Sequence, residues 1–180
     1  FLTGKDDIPY AVLLTREPVN AQLQAQTMRC YYDELLAQNF KRGDALQAMS
    51  QLLTLYNADF EPIVIDYVSA ICTYLKRENI KIRRKFYPFI AMLALAQANE
   101  DVLNEIIRMN KELMTLPMFS IEPSLALMTA TQFVLQQLIE REALQQFSDS
   151  LLFLQALNMN DFLQDAKITF AFNIFDFLNG

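Results

Sequence analysis

The stretch YDELLAQNFKRGDALQAMSQLLTLYNADFEP, Tyr32 to Pro62, decides the fold. Apolar residues recur along it at helical spacing, interrupted by the polar joint Lys41-Arg42-Gly43-Asp44 and closed by a second joint, Asn57 to Pro62. That is the pattern of two helices and the turn between them. The alternation begins near Ala21 and continues through joints at Ala98-Asn99 and Leu116 to Pro123. The segments therefore run as pairs of helices of roughly 12 to 18 residues. Leu103, Ile106, Ile107, Asn110, Leu113 and Met114 share one face of a helix opened by the acidic pair Glu100-Asp101. Further on, Leu144, Phe147, Leu151 and Leu154 follow the same spacing. Three glycines and six prolines in 180 residues, at 53% hydrophobic, agree with an all-α chain that buries a core. The expected architecture is a helical-hairpin repeat array, an α-solenoid.

The residue inventory argues against an enzyme. Histidine is absent, which removes the commonest general base and metal ligand and every Ser/His or Cys/His arrangement. Gly4, Gly43 and Gly180 are isolated, so no phosphate-cradling glycine loop exists and no cofactor is expected. The pairs Asp6-Asp7, Asp33-Glu34 and Glu100-Asp101 read as helix starts and solvated faces. Cys30 and Cys72 have no paired spacing and read as buried structural thiols in a reducing compartment. The longest apolar runs, such as FIAMLALA from Phe89, fall far short of the roughly 18 residues of a membrane span. Beginning at Phe1 without a leader, the chain reads as a fragment or processed form.

A period appears when the helices are compared. Tyr32 and Tyr67 are 35 residues apart, as are Lys41 and Lys76, while Pro62 follows Tyr32 and Pro117 follows Tyr87 by 30. With Tyr early in a first helix, a Lys-x-Gly joint, Ala and then Met in a second helix, and a closing Pro, the chain resembles the pentatricopeptide repeat. Tyr32, Leu35, Lys41, Gly43, Ala48 and Pro62 carry one unit, with Leu55 in place of the Met. Tyr87 to Pro117 resembles another, with Leu103 for the Ala and Met109 one residue out of place. Tyr67 to Lys76 resembles a first helix alone. Tetratricopeptide-like and other α-hairpin arrays are alternatives. The division expected is 1–20 as lead-in or the end of a preceding repeat, 21–118 as repeat hairpins, and 119–180 as a further hairpin plus a terminal helix.

The resemblance implies a right-handed superhelix whose concave groove holds single-stranded RNA, in mitochondria, serving transcript stability, processing or translation. In that family base choice depends on polar residues after the repeat Tyr and after the closing Pro. Here those places carry Asp33 with Ile63 and Pro88 with Met118, and Val68 in the middle unit. Ile, Met, Val and Pro side chains offer a base edge no hydrogen bond, so backbone contact and stacking are the RNA modes left.

The stretch YLKRENIKIRRKFYPF, Tyr74 to Phe89, fits such a mode. Six of fifteen cations, Lys76, Arg77, Lys81, Arg83, Arg84 and Lys85, stand in ten residues beside Tyr74, Phe86 and Tyr87, in a chain of net charge -6. Cations for phosphates with rings for stacking suit sequence-tolerant single-strand binding. The same cluster would also serve as a dock for an acidic protein, or as cations completing helix ends. From Pro117 onward there are two cations and seven acids, so phosphate is not expected there. The final stretch, with Phe170, Phe172, Phe175 and Phe177, is apolar nearly all round. It reads as tucked into its own array, or as a surface for a second copy or another protein. The alternative function is a protein-interaction scaffold with no RNA role.

Overall fold

The computed structural model describes residues 20–117, 119 and 123–140. Within them the chain forms six α-helices and no strand: α1 (Ala21–Ala37), α2 (Asp44–Leu53), α3 (Pro62–Arg77), α4 (Tyr87–Leu95), α5 (Glu100–Leu113) and α6 (Pro123–Glu140). A 3-10 turn, Arg84–Phe86, leads into α4. The all-α expectation holds, and the joints at 41–44, 57–62 and 98–99 lie at boundaries between helices, while the joint Leu116 to Pro123 lies partly outside the described residues. The stretches 1–19 and 141–180, including Leu144 to Leu154, Phe170, Phe172, Phe175 and Phe177, lie outside the described residues.

Local chemistry sets the helix ends. The Asn20 side chain accepts from the N–H groups of Gln22 and Leu23, and Asn99 accepts from that of Val102, satisfying donors that a helix start leaves unpaired. Pro62 opens α3, where its missing N–H costs nothing. Three helices end the same way. Asn39, Asn79 and Gln97 adopt left-handed backbone, with φ of 69°, 59° and 48°. Beyond each, an N–H reaches back to the carbonyl five residues earlier: Phe40 to Leu35, Ile80 to Leu75, and Ala98 to Leu93. These are Schellman motifs, which close the last turn and redirect the chain.

Packing follows from where the apolar residues fall. Every residue of α4 is buried, and α2 is buried from Leu46 through Leu53. These two helices pack on each other, with α1 against α2 and α3 against α4; α5 packs chiefly on α6. Side by side, α1 meets α3, and α3 meets α5, while α4 meets α6. One continuous core therefore runs from Tyr31 in α1 to Leu135 in α6. Three buried hydroxyls are satisfied by the carbonyl four residues back: Ser50 donates to the Leu46 carbonyl, Thr54 to Ser50, and Thr131 to Leu127.

The helices α1 and α3 run in the same direction, as three contacts show. Thr27 Oγ1 donates to the Ala58 carbonyl at 2.6 Å, the Glu61 N–H donates to the Tyr31 hydroxyl at 3.2 Å, and the Ser69 hydroxyl donates to Gln38 Oε1 at 2.8 Å. The turns that follow α1 and α3 thus lie at one end of the molecule.

This geometry corrects the 35-residue period. The backbone equivalents after α1 and α3 are Leu35 and Leu75, Asn39 and Asn79, Phe40 and Ile80, and Lys41 and Lys81, each pair forty residues apart. Tyr32 lies past the middle of α1, whereas Tyr67 lies in the first half of α3. The two stretches read as whole repeat units are also out of phase. Tyr32 to Pro62 takes in the end of α1 and all of α2, but Tyr87 to Pro117 spans α4 and α5, which belong to different packing pairs. Shared Tyr, Lys and Pro spacing arose from unequal helices of 17, 10, 16 and 9 residues.

Candidate functional site

The basic cluster occupies the turn from α3 to α4. The α3 helix ends on Lys76 and Arg77, where cations face the negative end of the helix dipole. Asn79 then reverses the chain, and Arg83 is extended before the 3-10 turn. Phe86 fixes this segment from inside. It is 1% exposed and stacks on Phe89 with ring centroids 5.6 Å apart. With Phe86 anchored inward, its neighbours point outward: Lys76, Arg77, Lys81, Arg83, Arg84 and Lys85 are all exposed.

The aromatic half of the expectation is not met. Tyr74 is 6% exposed, its hydroxyl donates to Asn104 Oδ1 on α5, and the Arg77 guanidinium covers its ring at 4.4 Å. Tyr87 is equally buried; its hydroxyl accepts the Lys41 N–H at 3.3 Å and its ring meets the edge of Phe40 at 4.9 Å. None of the three rings offers a free face to a base. The spacing of tyrosines along the sequence is the same for a stacking ring and a buried anchor, which is why the sequence suggested the former.

The cations do not all point one way. Arg77 lies 3.6 Å from Glu78 and 3.8 Å from Glu100 at the start of α5, so it bridges two helices. Arg84 turns to the other side, where its Nη1 lies 4.0 Å from the place a Cβ on Gly43 would occupy. This brings it beside the α1 to α2 turn and its exposed Lys41 and Arg42, two cations outside the cluster expected from the sequence. The signal was present in the sequence as Asn-Phe-Lys and Asn-Ile-Lys, each after a helix end.

The thiols differ in a way composition did not show. Cys72 is buried, and burial pushes its thiol up to about 11, with Lys76 acting weakly in the opposite direction. Cys30 is exposed instead, in a shallow groove with Gln22, Ala25, Gln26 and Arg29. On α5, Arg108 bonds Glu105 and Glu112, and its hydrogen bond holds the Glu105 carboxyl below its usual range. Among the described residues no cluster of three His, Cys, Asp or Glu side chains could hold a metal ion, and no helix is long and apolar enough to cross a membrane.

Comparison with known families places the chain outside the pentatricopeptide repeats. The chain belongs to the family described as protein of unknown function (DUF4003), whose model matches residues 1–161. No curated protein and no solved structure matches it. The pentatricopeptide resemblance is therefore withdrawn, in agreement with the out-of-phase units described above. The mitochondrial setting rested on that resemblance alone and has no support in the family match.

Proposed function

We propose, from geometry alone since the family brings no activity, that this protein is a non-enzymatic binding protein. In this reading its helical hairpins stack as an α-solenoid, and the α3 to α4 turn holds the phosphate backbone of single-stranded RNA. The observation that carries it is the exposure of Lys81, Arg83, Arg84 and Lys85 on the turn from α3 to α4, next to Lys76 and Arg77 at the end of α3, on a segment whose phenylalanine is anchored in the core. A run of exposed cations in an otherwise acidic chain concentrates positive potential where phosphates are contacted. No base selection is included, because Tyr74 and Tyr87 are occupied inside the fold.

A second reading, a protein-interaction scaffold, is favoured by a separate observation. Phe133 on α6 is 57% exposed, Leu116 46% and Ile63 43%, large apolar side chains left at the surface. Fluorescence anisotropy separates the two. Oligouridine should bind the chain at low salt, and log affinity should fall with log salt by about 0.7 for each phosphate contacted. Absence of binding at the lowest salt removes the RNA reading and leaves the scaffold.

A further inference from the structure

The α1 to α2 turn stands apart from the cluster in sequence and beside it in space. Lys41 and Lys81 each come two residues after a left-handed asparagine, at the same place beyond the ends of two helices that run in the same direction. The two turns are tied together. The Lys41 N–H donates to the Tyr87 hydroxyl, Phe40 packs on the Tyr87 ring, and Arg84 reaches to the edge of Gly43. Helices in contact lie about 8 to 10 Å apart, so successive turns offer cations at a comparable spacing. The row stops there: Met114 to Pro117, after α5, contains no cation.

We infer that Lys41, Arg42, Lys81 and Arg84 form one phosphate-binding surface across the α1 to α2 and α3 to α4 turns, and that it holds a polyphosphate chain by charge alone. The inference rests on the RNA reading above and adds residues and a mode to it. Charge is what remains available, because the rings at this end are committed to the core. A ligand with phosphates and no bases should therefore serve as well as RNA. Arg77 is left out, since it is engaged by Glu78 and Glu100.

The test uses the whole chain, labelled oligouridine, and inorganic polyphosphate as competitor. Two double variants are compared with wild type: Lys81→Glu with Arg84→Glu, and Lys41→Glu with Arg42→Glu. Substituting the Lys41 side chain leaves its backbone bond to Tyr87, and thermal melts report whether each variant folds; glutamine versions replace any that do not. Each pair should weaken binding at low salt and flatten the salt slope by about 1.4, two contacts at about 0.7 each. Polyphosphate should displace RNA at matched phosphate concentration. If the Lys81/Arg84 pair behaves so while the Lys41/Arg42 pair keeps the wild-type slope, the two-turn surface is wrong and the RNA reading survives. If polyphosphate fails to displace RNA, binding by charge alone is overturned. If wild type binds neither ligand, the RNA reading falls and takes this inference with it.

Discussion

Asn39 and Asn79 hold the same left-handed conformation, with φ of 69° and 59°, one at the end of α1 and the other at the end of α3. Both are the residue that lets an N–H from the next position close on a buried leucine carbonyl, Leu35 or Leu75. Asparagine tolerates this region better than other side chains, and a β-branched residue does not. Replacing either with Val should lower stability by about 1 to 2 kcal/mol, whereas Gly should be neutral or stabilising. Urea midpoints of the four variants decide it. Equal losses for Val and Gly would show that the reversal is not set by backbone conformation.

Gln97 ends α4 in the same region at φ 48° without asparagine's advantage. Gln97→Gly should therefore raise stability by up to about 1 kcal/mol, measured as a shift in urea midpoint. An unchanged or lower midpoint would indicate that the Gln97 side chain contributes packing that outweighs its strain.

Gly43 occupies a different backbone region, φ 135° and ψ -177°, at the start of α2. Space is not the constraint, because a Cβ there would meet Arg84 Nη1 only at an ordinary 4.0 Å. Conformation is. Gly43→Ala should cost about 1 to 3 kcal/mol, and Arg84→Ala should not rescue it. A rescue would mean that a clash with Arg84, rather than φ, sets the cost.

The same turns show how far the sequence could be read. Helix periodicity and the joints at 41–44, 57–62 and 98–99 located the other helix boundaries, because Leu, Ile and Phe spacing and Asn20, Asn99 and Pro62 act locally, but the turn between α3 and α4, which has no proline or glycine, was not among the joints. Phase was not legible. Tyr32, Tyr67 and Tyr87 repeat in number but differ in role, since α4 is buried on all sides and opens on Tyr87, while α1 begins eleven residues before Tyr32. For the site, the exposure of the cations followed from their sequence. The capture of Tyr74 by Asn104 and the arrival of Arg84 at Gly43 depend on packing between distant segments, which neither periodicity nor charge reveals.

Tyr74 separates a structural ring from a binding one. Its hydroxyl donates to Asn104 across the α3–α5 contact, so Tyr74→Phe should cost about 0.5 to 1.5 kcal/mol while leaving polyanion affinity unchanged. Tyr74→Ala should cost about 3 to 5 kcal/mol by analogy with other large-to-small aromatic changes in cores. A loss of oligouridine affinity in a stably folded Tyr74→Phe protein would restore the tyrosine to the binding surface.

The two cysteines should part in their chemistry. Cys30 is exposed and should react with a thiol reagent in the native protein, while Cys72 should react only when the fold opens. Burial raises the Cys72 thiol from 9.0 to about 11, so below pH 9 it is protonated in both folded and unfolded chains and has no effect on stability. As pH climbs from about 9 to about 11 the unfolded chain releases this proton and the folded one does not, and the fold loses about 2 to 3 kcal/mol. Tyr31, also raised by burial, acts in the same direction and accounts for part of any remaining alkaline loss. In Cys72→Val the decline of the urea midpoint over that window should be shallower than in wild type. If both proteins lose stability at the same rate with pH, Cys72 is not held as a thiol by its surroundings, and the labelling of the native chain should then reach both cysteines.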